Sequence, residues 1–225
     1  MSFFVTPVVD EWGDTTYVPT AAGLTILIVI IIAVLLLGVW IFGKNRQFSA
    51  KQLAFTALAI ALATATSFIK VIHMPMGGSV TFFSMLFIAL VGYWYGPGPG
   101  LTAAFAYGIL QMTIDPYILS FPQMLVDYVF AFTALGLSGI FTNAKRAGLI
   151  KGYLLAVFGR YVFAVVSGWV FFGIYAGDYG FKSGLIYSLV YNIAYIGIEA
   201  AVTVLILFLP PVRNAMEYVK RLAKS

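Results

Sequence analysis

Residues Met74–Phe141 read MPMGGSVTFFSMLFIALVGYWYGPGPGLTAAFAYGILQMTIDPYILSFPQMLVDYVFAFTALGLSGIF. Long apolar runs are broken here by Gly/Pro turns. One carboxylate, Asp127, lies inside an otherwise apolar helix among aromatic residues. An acid inside a membrane span is expensive and therefore reads as functional by default. An acid ringed by tyrosines is also what a site for an organic cation needs.

The rest of the chain sets the context for that stretch. Of 225 residues, 62% are hydrophobic and 9% are charged, and the mean hydropathy is +0.98. Soluble domains carry roughly 25% charged residues, so this chain cannot cover a globule with polar surface and belongs in a bilayer. With no cysteine, disulfide and thiolate chemistry are excluded. The net charge of +5 is not a nucleic-acid signal, because the basic residues gather in the loops between spans.

Seven apolar spans follow, over Thr20–Phe42, Ala50–Ile72, Ser79–Tyr95, Gly100–Ile114, Pro122–Phe141, Leu149–Tyr175 and Gly184–Leu209. Crossing a bilayer core takes about 20 helical residues. The third and fourth spans are shorter, which implies tilt or ends unwound around a cavity. The runs are too long, and lack the period of two, for continuous strand. The architecture expected is an all-α membrane protein: a core of six helices over residues 46–212, preceded by an outer segment and extra helix over 1–45 and followed by a basic tail over 213–225.

Lys and Arg orient it. Lys44, Arg46 and Lys51 lie between spans one and two, Lys145, Arg146 and Lys151 between five and six, and Arg213, Lys220, Arg221 and Lys224 in the tail. Seven spans put all three clusters on one side, opposite Asp10, Glu11, Asp14, Asp115 and Asp178. The positive-inside rule then places the N-terminus outside and the tail in the cytoplasm of a cell membrane. The first span reads as a retained anchor rather than a signal peptide: an acidic segment leads it, its apolar run is long, and no A-x-A-like site follows.

The second span has a face of small residues, with Ala57, Ala61 and Ala65 at every fourth position and Ala59 and Ala63 beside them. Small residues at that spacing let helices approach closely in lipid. Two readings stand: packing within this protein, or docking of another membrane protein.

GGSVTFFSM, YGPGPG, YILSFPQMLVDY, LGLSGIF, RYVFAVVSG and YSLVYN, taken in that order, resemble the thiamine-specific substrate-binding (S) component of energy-coupling factor (ECF) transporters. The resemblance covers about Ala50–Leu209. It implies a six-helix vitamin-binding protein that docks on a transmembrane coupling subunit with two ATPase subunits. It implies a site with its acid at Asp127 in place of the family's glutamate, tyrosines at Tyr128, Tyr117 and Tyr187, and an asparagine at Asn192. The family's histidine falls on Ala164, a stacking tryptophan of some members falls on Phe172, and a further acid near the first outer loop has no counterpart. The extra first span is an addition to the family pattern.

The depth of these residues agrees with the resemblance. Asp127 lies about one and a half turns from the outer end of its span, at about 1.5 Å per residue. Tyr187 and Asn192 lie at similar depth, Phe172 and Trp169 at the outer end of the sixth span, and Tyr117 in the outer loop. Thiamine carries a fixed positive thiazolium and an aminopyrimidine with donors and acceptors, which a carboxylate, aromatic rings and an amide answer.

Each residue also has a plainer reading. Asp127 can be a structural acid held by hydroxyls, Tyr128 and Tyr117 can be interfacial belt residues, and Asn192 can bridge helices. Trp169 fits belt or packing. His73, the only histidine, fits a solvated edge, and GPGPG fits a cytoplasmic turn without the Lys-Ser/Thr of a phosphate loop. Arg160 and Glu199 fall at similar depth in the last two spans, which suggests a structural ion pair, directly or through one water, below the vitamin site.

The chain carries no ATP-binding motif, so active transport requires an energising partner. An intramembrane enzyme is disfavoured by one histidine, no cysteine and no paired acids on one helix. No cofactor or metal is expected. The readings that remain are a thiamine-binding S component, the same architecture with a thiamine precursor or another vitamin, and a structural or sensory membrane protein.

Overall fold

The computed structural model describes residues 5–9, 15–23, 25–26, 29, 49–144 and 147–225. The extra first span, with Lys44, Arg46 and the acids at 10, 11 and 14, lies almost wholly outside these residues, as do Lys145 and Arg146. Ahead of it, β1 (Val5–Val9) pairs antiparallel with β2 (Thr15–Pro19). Residues 21–23, 25–26 and 29 are helical.

The core begins with α1 (Ala50–Ser67), capped by the Ser49 hydroxyl, which accepts from the Gln52 amide at 3.1 Å. The span expected to run to Ile72 stops at Ser67. The chain instead forms a hairpin of β3 (Lys70–His73) and β4 (Ser79–Thr81), closed through Gly77 and Gly78 at φ +80° and +81°. Left-handed backbone of this kind strains any residue with a Cβ. The third span is accordingly strand at its start, and its helix, α2 (Ser84–Tyr95), has 12 residues. The unwound end faces a cavity, as a short span implies.

The GPGPG run turns only at Gly96, whose φ is +94°. Pro97 already opens α3 (Pro97–Ile114), since proline fits the first turn of a helix, where its missing N–H is not needed. Helix α4 (Phe121–Phe141) is irregular: a wide π segment covers Leu125–Phe130 and a tight 3₁₀ segment covers Ala134–Phe141. At its tight end the chain meets α3 backbone to backbone. A Cβ on Gly136 would lie 2.3 Å from the Leu101 amide nitrogen, so glycine is what permits the crossing.

Helix α5 (Gly148–Phe171) is followed by α6 (Gly184–Leu207), which carries its own π segment at Ile193–Gly197. Among the described residues α4, α5 and α6 are long and apolar enough to cross a membrane, and α2 is a shorter apolar helix. Leu58, Leu62, Phe105, Leu154, Phe158, Val202 and Leu205 point outward and are exposed. A belt of exposed aliphatic side chains on a helical bundle is a lipid-facing surface.

The basic tail is itself a helix, α7 (Pro210–Lys224), and it folds back on the bundle. Val212, Met216, Val219 and Ala223, one face at helical spacing, pack on the core. Lys220 sits 3.6 Å from the centre of the Tyr93 ring and donates to the Thr142 carbonyl at 2.6 Å. Lys51 reaches the Ser225 hydroxyl at 2.8 Å. The described basic residues of the first loop and the tail therefore share one end of the bundle, and the β3–β4 hairpin lies at the other.

Candidate functional site

A cavity opens at the hairpin end between α1, α3, α4, α5, α6 and the hairpin itself. Asp127, Tyr128, Tyr117, Phe172, Tyr187 and Asn192 all line it. Trp169 does not: it is 54% exposed on the outer face of α5 and belongs to the lipid-facing surface. Its neighbour Gly168 faces the cavity instead, because successive helical residues point about 100° apart.

Asp127 sits in the π segment of α4. Its Oδ2 accepts from the Gln123 side-chain amide at 2.6 Å. The same amide nitrogen donates to the Tyr117 carbonyl at 3.0 Å, and the Gln123 side-chain oxygen accepts from the Leu119 N–H at 2.9 Å. Gln123, only 1% exposed, thus ties the acid to the α3–α4 loop that carries Tyr117. The Tyr128 hydroxyl does similar work, accepting from the Tyr117 N–H at 2.6 Å and donating to the Asp115 carbonyl at 3.0 Å.

The rings around the acid are ordered against each other. Tyr117 stacks on Phe172 with centroids 5.9 Å apart. Tyr128 stacks on Phe132 at 6.3 Å, and the Arg160 guanidinium lies on that Phe132 ring at 4.3 Å from its centre. Tyr187 contacts Tyr179, Phe181 and Tyr191. Its hydroxyl is buried with no hydrogen-bond partner among the described residues. A buried orphan hydroxyl is costly unless something completes it.

Asn192 lines the cavity but is also a bridge. Its amide nitrogen donates to the Ala164 carbonyl at 3.1 Å and the Ser188 carbonyl at 2.9 Å, and its oxygen accepts from the Tyr195 hydroxyl at 2.9 Å. It joins α5 to α6 and orients Tyr195 beneath the hairpin.

The hairpin covers the cavity. The Tyr191 hydroxyl accepts from the Met76 N–H and donates to the Gly77 carbonyl, both at 2.9 Å. Lys70 and Asp115, both at the rim, form an ion pair at 2.5 Å. His73 is exposed and contacts the Ser79 hydroxyl at 3.1 Å, the edge position expected of it.

The expected Arg160–Glu199 ion pair is not formed. Arg160 is on the Phe132 ring and lines the cavity, whereas the carboxylate of Glu199 is filled by donors from β4 and the start of α2. Equal depth in neighbouring helices does not fix the direction a side chain faces. The π segment just before Glu199 turns the rest of α6 toward the hairpin.

Sequence reasoning did not single out Gln123, Tyr191 or Tyr195. Gln123 was within reach of it, since it stands four residues before Asp127 and that spacing puts two side chains on one helix face. Tyr191 and Tyr195 could be ranked only once the hairpin was known.

A membrane bundle with a capped, aromatic-walled cavity and an acid of a membrane span in its wall has the features of a small-molecule binding protein. Residues 53–218 match the model of the family described as "Thiamine transporter protein", and the chain belongs to that family. It is 36% identical over 168 residues to "Thiamine transporter ThiT" of Bacillus subtilis (strain 168), covering 65% of this chain and 84% of that one. It also shares its fold with ThiT from Listeria monocytogenes, at a TM-score of 0.54 and 22% identity over 77% of this chain and 93% of that one.

Proposed function

We propose that this protein is the thiamine-binding S component of an ECF-type importer, with the cavity open to the outer side and the basic end in the cytoplasm. The observation that carries this reading is the Asp127 carboxylate in a cavity walled by Tyr117, Tyr128, Phe172 and Tyr187. Lys70 and Asp115 pair with each other at the rim of the cavity, and Arg160 lies on the Phe132 ring, which leaves Asp127 as the acid inside a span that faces the cavity. A carboxylate set among aromatic rings suits a monocation such as thiamine better than a neutral or anionic vitamin. The thiazolium lies against Asp127 and the rings, and the Tyr187 hydroxyl completes its hydrogen bonding on the pyrimidine. Mass spectrometry of small molecules released from the purified protein tests the assignment: thiamine or a cationic precursor is the expected mass, and an anionic vitamin contradicts it.

Transport needs a partner, and α1 supplies a surface for one. Ala59 and Ala63 are buried in the bundle, whereas Ala57, Ala61 and Ala65 face outward. The alanine stripe thus serves both readings of the sequence on its two sides, and the outward side is where we place the transmembrane coupling subunit, which in turn carries two ATPase subunits. Ala61→Leu keeps the helix apolar but holds a partner backbone away. Cellular thiamine uptake falls severalfold while the isolated protein binds as before; normal uptake and assembly would leave that face to lipid.

A further inference from the structure

Glu199 is a buried acid in the middle of a span, 3% exposed, that does not line the cavity. One carboxylate oxygen accepts from the Thr81 N–H at 3.1 Å and the Thr81 hydroxyl at 2.7 Å. The other accepts from the Met85 N–H at 3.1 Å and the Ser84 hydroxyl at 3.4 Å. Among these donors the Met85 N–H is one of the orphan amides at the start of α2, and the Thr81 N–H and hydroxyl belong to the end of β4. The cap position of α2 itself is Phe83, at φ +64°, with no side-chain cap bond. Glu199 therefore caps α2 from another helix, and a carboxylate suits the positive end of the helix dipole.

The same donors form the root of the hairpin. Thr81 ends β4, and both Thr81 and Ser84 line the cavity. The tip of the hairpin is held by Tyr191, as described above, and its middle rests on Tyr195: a Cβ on Gly78 would lie 2.9 Å from that ring. Tyr191, Tyr195 and Glu199 are spaced by four on α6. In a regular helix every fourth residue overshoots a full turn by about 40°. The wider π turn at Ile193–Gly197 takes back part of that drift and keeps all three toward the hairpin.

We propose that Glu199 is a positioning residue for ligand retention: by clamping Thr81, Ser84 and Met85 it makes the hairpin and α6 move as one body, and so sets the rate at which the cavity opens. It touches no ligand and acts through the hairpin. This inference rests on the thiamine-binding reading for its kinetic arm only. Removing the charge weakens four contacts that hold the cover shut without changing any residue that lines the cavity, so the effect falls on dissociation rather than on association.

The test uses the full chain in lipid nanodiscs and compares the wild type with Glu199→Gln, Thr81→Val and the double variant. Thiamine association and dissociation rates are followed by stopped flow, and amide hydrogen exchange is followed by mass spectrometry. Glu199→Gln is expected to speed dissociation about fivefold, with association within about twofold, and to speed exchange over residues 70–85 but not in α3 or α5. Thr81→Val is expected to give about a twofold rise, and the double variant less than the product of the two effects, because both act on one contact. A folded Glu199→Gln with wild-type dissociation overturns the proposal. So does exchange that quickens equally in every helix, which is the mark of a merely structural role. If Glu199→Gln does not fold, Thr81→Val decides alone, and an unchanged rate overturns it. A wild type that does not bind thiamine refutes the assigned ligand, and the exchange arm still tests the clamp.

Discussion

Asp127→Asn lowers thiamine affinity at least tenfold while leaving the protein folded. The substitution keeps size and shape, and asparagine can still accept from Gln123 through its side-chain oxygen, so the link from α4 to the α3–α4 loop survives. What is lost is the negative charge that α4 presents to the cavity. A hydrogen bond or contact to a charged group is worth about 1.5–3 kcal/mol, or roughly 10- to 150-fold in affinity. The low dielectric of a membrane bundle favours the upper part of that range. Calorimetry on the purified variant reads it, and an affinity equal to the wild type's would remove Asp127 from the site.

Gln123→Met lowers affinity by about tenfold or more and destabilises the protein as well. Methionine fills the volume but cannot make the three hydrogen bonds to Asp127, Tyr117 and Leu119. The Leu119 N–H and the Tyr117 carbonyl lose their partner, and each such loss at a buried site costs about 1–3 kcal/mol. Asp127 also loses the amide that fixes its rotamer, and the loop bearing Tyr117 comes away from the cavity wall. Affinity by calorimetry and the midpoint of thermal unfolding should fall together in this variant, whereas only affinity falls in Asp127→Asn. A Gln123→Met protein with wild-type affinity would show that the loop is held by Tyr128 alone.

Asp127 was legible in the sequence because an acid amid apolar residues is conspicuous on composition alone. The core helices were legible because their apolar runs are long and the loops between them carry Lys and Arg. The β3–β4 hairpin was not. Lys70–His73 and Ser79–Thr81 are too short to show a strand period, and they abut the long apolar runs of α1 and α2, which absorb them when spans are drawn by length. Helix α7 carried a readable signal in Val212, Met216, Val219 and Ala223, but its basic residues favoured the reading of a solvated tail. Arg160 and Glu199 show the limit of depth arguments. Counting residues from a helix end gives height in the membrane, while the facing direction depends on π turns that no residue type announces. Gln123 was readable as a neighbour of Asp127 from its spacing of four, but the loop it fastens was not.

Titration of the purified full chain with thiamine shows whether the cavity selects a monocationic vitamin. Saturable one-to-one binding by calorimetry is the predicted result, with much weaker binding of an analogue whose thiazolium is replaced by a neutral ring. Equal affinity for the charged and neutral compounds, or no heat with thiamine at all, would contradict it.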